Sequence, residues 1–174
     1  MDHDNYSDDY IAGILNEVRT IALVGASNNA VRPSYFVLKY LIAKGYRVFP
    51  VNPGLAGQEI VGQTVHRSLQ AIPEPVDMVD IFRNSEAALA ITREAVALGA
   101  KVVWMQLSVR NDEAAALAEA AGLKVVMNRC PKIEYGRLSG EIGWAGVNSR
   151  TLSSQRGIAG ASGQSLLIGP VRGR

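Results

Sequence analysis

Gly25-Ala26-Ser27, with Arg32 just beyond, is the set of residues in this chain best suited to holding a phosphate. Gly25 permits a turn that a Cβ would obstruct. Ala26 and Ser27 are small enough to leave backbone N–H groups open to an anion, and the Ser27 hydroxyl can add a hydrogen bond. A helix opening at Pro33 would contribute the positive end of its dipole. Arg32 can grip a phosphate through two parallel N–H bonds.

Catalytic constellations are harder to find. His3 lies in a polar start and His66 in a loop, too little for a metal site or a triad. Cys130 is the single thiol and forms no C-x-x-C pair. Glu134 and Glu141 have no partner carboxylate in view, so acid–base pairing lacks support. Tyr35 with Lys39, and Tyr40 with Lys44, match the Tyr-x-x-x-Lys pair of short-chain dehydrogenases. Both lie on the helix after Pro33, too early in the chain for that role, and read as an amphipathic helix with exposed lysines. Binding is therefore expected rather than catalysis.

The elements that must position the phosphate turn can be read from apolar periodicity. Ser7 can cap a helix from Asp8 to about Glu17, after a polar tail. Strands are expected at Thr20–Val24, Arg47–Val51, Met78–Phe82, Lys101–Met105 and Lys124–Met127. Helices are expected from Pro33 to Lys44, from Glu86 to Leu98 with Ser85 as cap, from Asn111 or Asp112 to Ala121, and from Pro131 to Leu138. Strands alternating with helices imply an α/β, Rossmann-like three-layer sandwich around a five-stranded parallel sheet, with order 3-2-1-4-5. The domain is expected to span residues 7–150, and residues 151–174 to form a flexible Gly/Ser/Arg-rich tail.

Ligands of such sheets bind beyond the carboxyl ends of the strands. There the sequence places Gly25-Ala26-Ser27, Asn52-Pro53, Phe82-Arg83, Gln106 and Asn128-Arg129-Cys130. Arg32, Arg83, Arg129 and Lys132 make that edge cationic. A dinucleotide site of the G-x-G-x-x-G type would need a second glycine where Ser27 stands, and an acidic residue where the chain has Asn52-Pro53. Both departures argue against NAD. A small NAD(P)-dependent oxidoreductase or dinucleotide-binding sensor is kept as the alternative.

The segments Val24-Gly25-Ala26-Ser27, Gly45 to Pro53, Val102 to Gln106, and Asn128-Arg129-Cys130 resemble those of stand-alone CoA-binding domain proteins. That family is similar to the N-terminal CoA-binding domain of the succinyl-CoA synthetase α subunit. The resemblance, over about residues 10–150, implies that coenzyme A or an acyl-CoA is the small-molecule ligand. It implies that Gly25, Ala26, Ser27 and Arg32 hold phosphates and that Val51, Asn52 and Pro53 line the adenosine side. Phe82 and Arg83 would flank the nucleotide, with Gln106, Asn128, Arg129 and Cys130 toward the pantetheine. The synthetase also needs a domain bearing a phosphorylated histidine, for which this chain has no room, so a non-catalytic or regulatory role is expected. Cys130 reads as a small buried residue. The other reading is a thiol near the CoA sulfur, with a pKa lowered by Arg129, Lys132 and the following helix, able to form a mixed disulfide.

Composition narrows the partners. The 174 residues are 48% apolar and 20% charged, an ordinary balance for one globular domain. A formal net charge of +2 without a Lys/Arg block gives a nucleic-acid surface little support. The lone cysteine excludes an internal disulfide and fits a reducing cytoplasm. The start Met1-Asp2-His3-Asp4 lacks the basic and apolar regions of a signal peptide. No apolar run approaches the ~20 residues that span a bilayer. A cytoplasmic protein is expected, and a homodimer through an exposed patch on the helix after Pro33 is left open.

Overall fold

The apolar runs become strands and the amphipathic runs between them become helices. The structure, a computed structural model, describes residues 1–140. The expectations for the tail at 151–174, and for the last part of the domain, lie outside the described residues. Strands β1 (Thr20–Val24), β2 (Arg47–Val51), β5 (Met78–Ile81), β6 (Val102–Met105) and β7 (Lys124–Val126) form the sheet; β3 (Glu59–Ile60) and β4 (Gln63–Thr64) form a small hairpin. The helices are α1 (Asp8–Glu17), α2 (Pro33–Ala43), α3 (Ser85–Ala97), α4 (Asp112–Ala120) and α5 (Pro131–Leu138). All strand pairs of the five-stranded sheet are parallel.

The sheet is ordered β2-β1-β5-β6-β7. Counted along the chain, its third strand thus sits between the first and the fourth, not outside the second as in the expected 3-2-1-4-5. The outer side of β2 is already taken: His66 N–H donates to Pro50 O at 2.8 Å, and Asn52 N–H donates to His66 O at 2.9 Å. The next full strand therefore pairs on the other flank of β1. Asp77 fixes it there, accepting hydrogen bonds from Arg19 N–H at 2.8 Å and Thr20 N–H at 3.1 Å and pairing with Lys101 at 3.0 Å. Burial opposes charge on Asp77, but those two N–H groups and Lys101 together hold its carboxyl below the usual range.

Alternating side chains build two cores. Ile21, Leu23, Met78, Val102 and Trp104 pack with α1, α2 and α5, while Ala22, Val79, Ile81, Val103 and Met105 pack with α3 and α4. On the second face the helices contribute alanines (Ala88, Ala95, Ala114, Ala115 and Ala118), which lets them lie close to the sheet.

Two local expectations change. The cap of α3 is Asn84, whose side chain accepts from Ala87 N–H; Ser85 Oγ instead accepts from Arg110 N–H. Residues 1–6 are not a loose tail. Tyr6 Oη accepts from Met127 N–H at 2.8 Å, and Tyr10 Oη both accepts from Val125 N–H and donates to its carbonyl. The two phenols satisfy backbone groups along the edge of β7, where an open strand would invite pairing.

Candidate functional site

The reversal of strand order puts the switch point between β1 and β5. The helices that follow these strands leave on opposite faces, α2 on one and α3 on the other. Diverging connections open a crevice beyond the strand ends, where parallel sheets bind their ligands.

Gly25 stands at the lip of that crevice with φ +93°, a left-handed conformation. A Cβ there would lie 2.8 Å from Phe82 O and 3.1 Å from Arg83 Cδ, so the Arg83 side chain crosses directly over the glycine. Gly25 N–H and Ala26 N–H both donate to Val51 O, at 2.9 and 3.3 Å. This corrects one expectation: the Ala26 N–H is committed to the fold. The Ser27 N–H makes no hydrogen bond among the described residues, while the Ser27 hydroxyl accepts from Asn29 N–H at 3.2 Å. Arg32 N-caps α2 without a side-chain cap bond, and its exposed guanidinium has no partner among the described residues.

At the end of β2, Asn52 ties two turns together. Its Nδ2 donates to Ala26 O at 2.8 Å and its Oδ1 accepts from Gly54 N–H at 2.9 Å. Pro53 opens the short 3₁₀ turn Pro53–Leu55 and is exposed. An amide suits this post because it must donate and accept at once.

A cavity of about 400 Å³ lies beside the turn. Of the expected site residues, Phe82, Arg83, Gln106 and Cys130 line it. Pro33 and Val37 of α2 form one wall, and Leu107, Ser108 and Val109 form part of another. Asn128 and Arg129 sit beside it with other partners. Asn128, at φ 53°, accepts from Ser108 N–H at 2.8 Å and joins the turns after β6 and β7. Arg129 faces the N-terminal segment, donating to Asp4 O at 3.0 Å with its guanidinium over the Tyr6 ring. Its carbonyl accepts from Trp104 Nε1 at 2.7 Å. The cations left near the cavity are Arg32, Arg83 and Lys132, the last lying over the Phe36 and Tyr40 rings.

Cys130 is buried at the N-cap of α5. Burial pushes its thiol up, the Asp80 charge adds to that, and the Ile133 and Lys132 N–H groups only partly offset it. The expected lowering of its pKa is therefore overturned: desolvation outweighs the helix terminus.

One functional candidate was missed in the sequence. Asp80, in the middle of β5, is fully buried, and its carboxyl is pushed up to about 8 by burial, against a hydrogen bond from Gln106. Gln106 Nε2 donates to both Asp80 oxygens, at 3.0 and 3.2 Å. The signal was legible: aspartate is depleted in strands and seldom fully buried, yet it sits in Met78-Val79-Asp80-Ile81.

The model of the CoA-binding domain matches residues 19–136, which include every strand and all the turns just described. The chain belongs to the CoA-binding domain family. A CoA-binding domain of this kind has relatives of similar size. Protein YneT of Bacillus subtilis (strain 168) is 34% identical over 125 residues, 72% of this chain and 91% of that protein. A hypothetical protein from Pyrococcus horikoshii OT3 is 40% identical with a TM-score of 0.73, covering 77% of this chain and 93% of its own. The cell-free ID.343 protein from Thermus thermophilus is 37% identical with a TM-score of 0.72, covering 76% and 98%. Among the described residues no helix is long and apolar enough to cross a membrane, and no cluster of three potential metal ligands occurs.

Proposed function

We propose that this CoA-binding domain holds coenzyme A or an acyl-CoA along the crevice between β1 and β5, as a cytoplasmic binding or regulatory protein without a reaction of its own. The observation that carries the reading is the Gly25 turn beside the cavity, with Arg83 over the glycine and Arg32 at the start of α2, both guanidinium groups without a partner among the described residues. CoA carries a pyrophosphate and a 3′-phosphate, so free guanidinium groups suit it. The Ser27 N–H, the start of α2 and Arg32 take phosphate. Val51, Asn52 and Pro53 border the adenosine, and Phe82 and Arg83 flank the nucleotide. The cavity at Gln106 and Cys130, with Asn128 and Arg129 at its margin, receives the pantetheine arm.

Calorimetric titration with CoA, dephospho-CoA and NAD tests this. CoA is expected to bind, and dephospho-CoA to bind more weakly because it lacks the 3′-phosphate. Saturable heat with NAD and none with CoA would overturn the reading.

A further inference from the structure

The turn after β6 is strained, and it holds out an apolar side chain. Val109 N–H donates to Gln106 O at 2.8 Å, closing a four-residue turn with Leu107 and Ser108 at its centre. Ser108 has φ 67°, a left-handed conformation that glycine adopts most easily in such turns. Its N–H donates to Asn128 Oδ1 at 2.8 Å, and Asn128 N–H donates back to Val109 O at 3.2 Å. Fixed in this way, the turn presents Leu107 at the cavity with 52% of its surface exposed. A turn that only met water would favour a polar residue there. A second apolar side chain stands near Cys130: Ile133, in the first turn of α5, is 46% exposed and directs its N–H to the Cys130 sulfur. The neighbouring cations point elsewhere. Arg129 is held over the Tyr6 ring and donates to Asp4 O, and the Lys132 ammonium lies over the Phe36 and Tyr40 rings. Arg83 lines the cavity from its Gly25 end. Beside the thiol, Leu107, Ile133 and the buried Val109 form an apolar margin.

We propose that Leu107 and Ile133 seat an aliphatic acyl chain, so that the preferred ligand is an acyl-CoA with an uncharged chain rather than a short-chain or dicarboxylic acyl-CoA. The proposal rests on the CoA reading above, which runs the pantetheine arm past Gln106 to Cys130 and so brings its sulfur to this margin. Carbon beyond the thioester then leaves the cavity over two side chains that are otherwise half in water. Each methylene covered there gains from the hydrophobic effect. A terminal carboxylate would lose hydration without a cation to pair with.

The test is a calorimetric series with acetyl-, butyryl-, hexanoyl- and adipoyl-CoA, the last two equal in chain length but differing by a terminal carboxylate. Affinity is expected to rise about tenfold from acetyl- to hexanoyl-CoA. Adipoyl-CoA is expected to bind no more tightly than acetyl-CoA. In the double variant Leu107→Ser, Ile133→Ser, hexanoyl-CoA is expected to bind within about twofold of acetyl-CoA. Both side chains are about half exposed, and acetyl-CoA binding by the variant reports that it is folded. Equal wild-type affinity for acetyl- and hexanoyl-CoA overturns the proposal. So does a chain-length gain that survives in the double variant, or adipoyl-CoA that binds as tightly as hexanoyl-CoA. In each of those cases acetyl-CoA binding leaves the CoA reading standing. If wild type binds neither CoA nor any of these acyl-CoA molecules, that reading falls and takes this proposal with it.

Discussion

Asn52 Nδ2 donates to the carbonyl oxygen of Ala26 at 2.8 Å, joining the turn that follows β2 to the turn that follows β1. In a dinucleotide-binding site the end of the second strand carries an acid that takes ribose hydroxyls. Here the residue at that post has its amide nitrogen engaged by the first turn and its oxygen by Gly54. Replacing it with the acid is therefore a sharp comparison. Asn52→Asp keeps the acceptor for Gly54 but sets a carboxylate against a carbonyl. Stability is expected to drop by about 1–3 kcal/mol. Affinity for CoA is expected to fall and affinity for NAD to stay negligible. Denaturant unfolding and titration with both nucleotides measure this. A gain of NAD binding would show that the residue reads the ligand rather than shaping the turn.

Gly25 is the second point where the crevice depends on one residue. In Gly25→Ala the new methyl meets Phe82 O at 2.8 Å, a backbone atom that cannot swing aside, and the φ of +93° is strained for any L side chain. Phe82 is itself anchored, its N–H donating to Val24 O at 2.8 Å. The substitution is expected to destabilise the fold by about 1–3 kcal/mol and to push the turn outward. CoA affinity should fall even at temperatures where the variant remains folded. Thermal unfolding followed by titration below the transition separates the two effects. An alanine variant with wild-type stability and affinity would mean that the turn relaxes freely.

Periodicity located the sheet strands and helices to within a residue or so, because each is a short apolar run closed by Gly, Pro or a capping residue. Strand order was less legible. Nothing local to Met78–Ile81 says which flank of β1 it will join. That depends on His66 returning to cover β2, and on Asp77 reaching back to Arg19 and Thr20. The residues clustered at the strand ends were predictable from topology alone, since they follow each strand directly. Their individual partners were not. Arg129 looks like part of the cationic edge, yet its guanidinium lies over Tyr6, a contact set by how residues 1–6 fold back. The Cys130 thiol illustrates the same limit, because its burial comes from packing and the helix terminus that follows it is visible in sequence.

Asp80 ties stability to pH with a sign opposite to that of most carboxylates. Its proton is held to about pH 8 in the fold, against 3.8 ordinarily, because burial penalises the charged form. Between those values the native state carries one proton more than the unfolded chain. Stability therefore falls as pH rises through this window, by up to about 1.4 kcal/mol per pH unit from this group, and the slope disappears above the folded value. Asp80→Asn removes the ionisation and with it the slope. Urea unfolding at intervals from pH 5 to 8.5 should show wild-type stability declining more steeply than that of the variant. At pH 8.5 the variant is expected to be the more stable of the two. Parallel curves for the two proteins would mean that the buried carboxyl is already charged at neutral pH, with Gln106 alone sufficient to hold it.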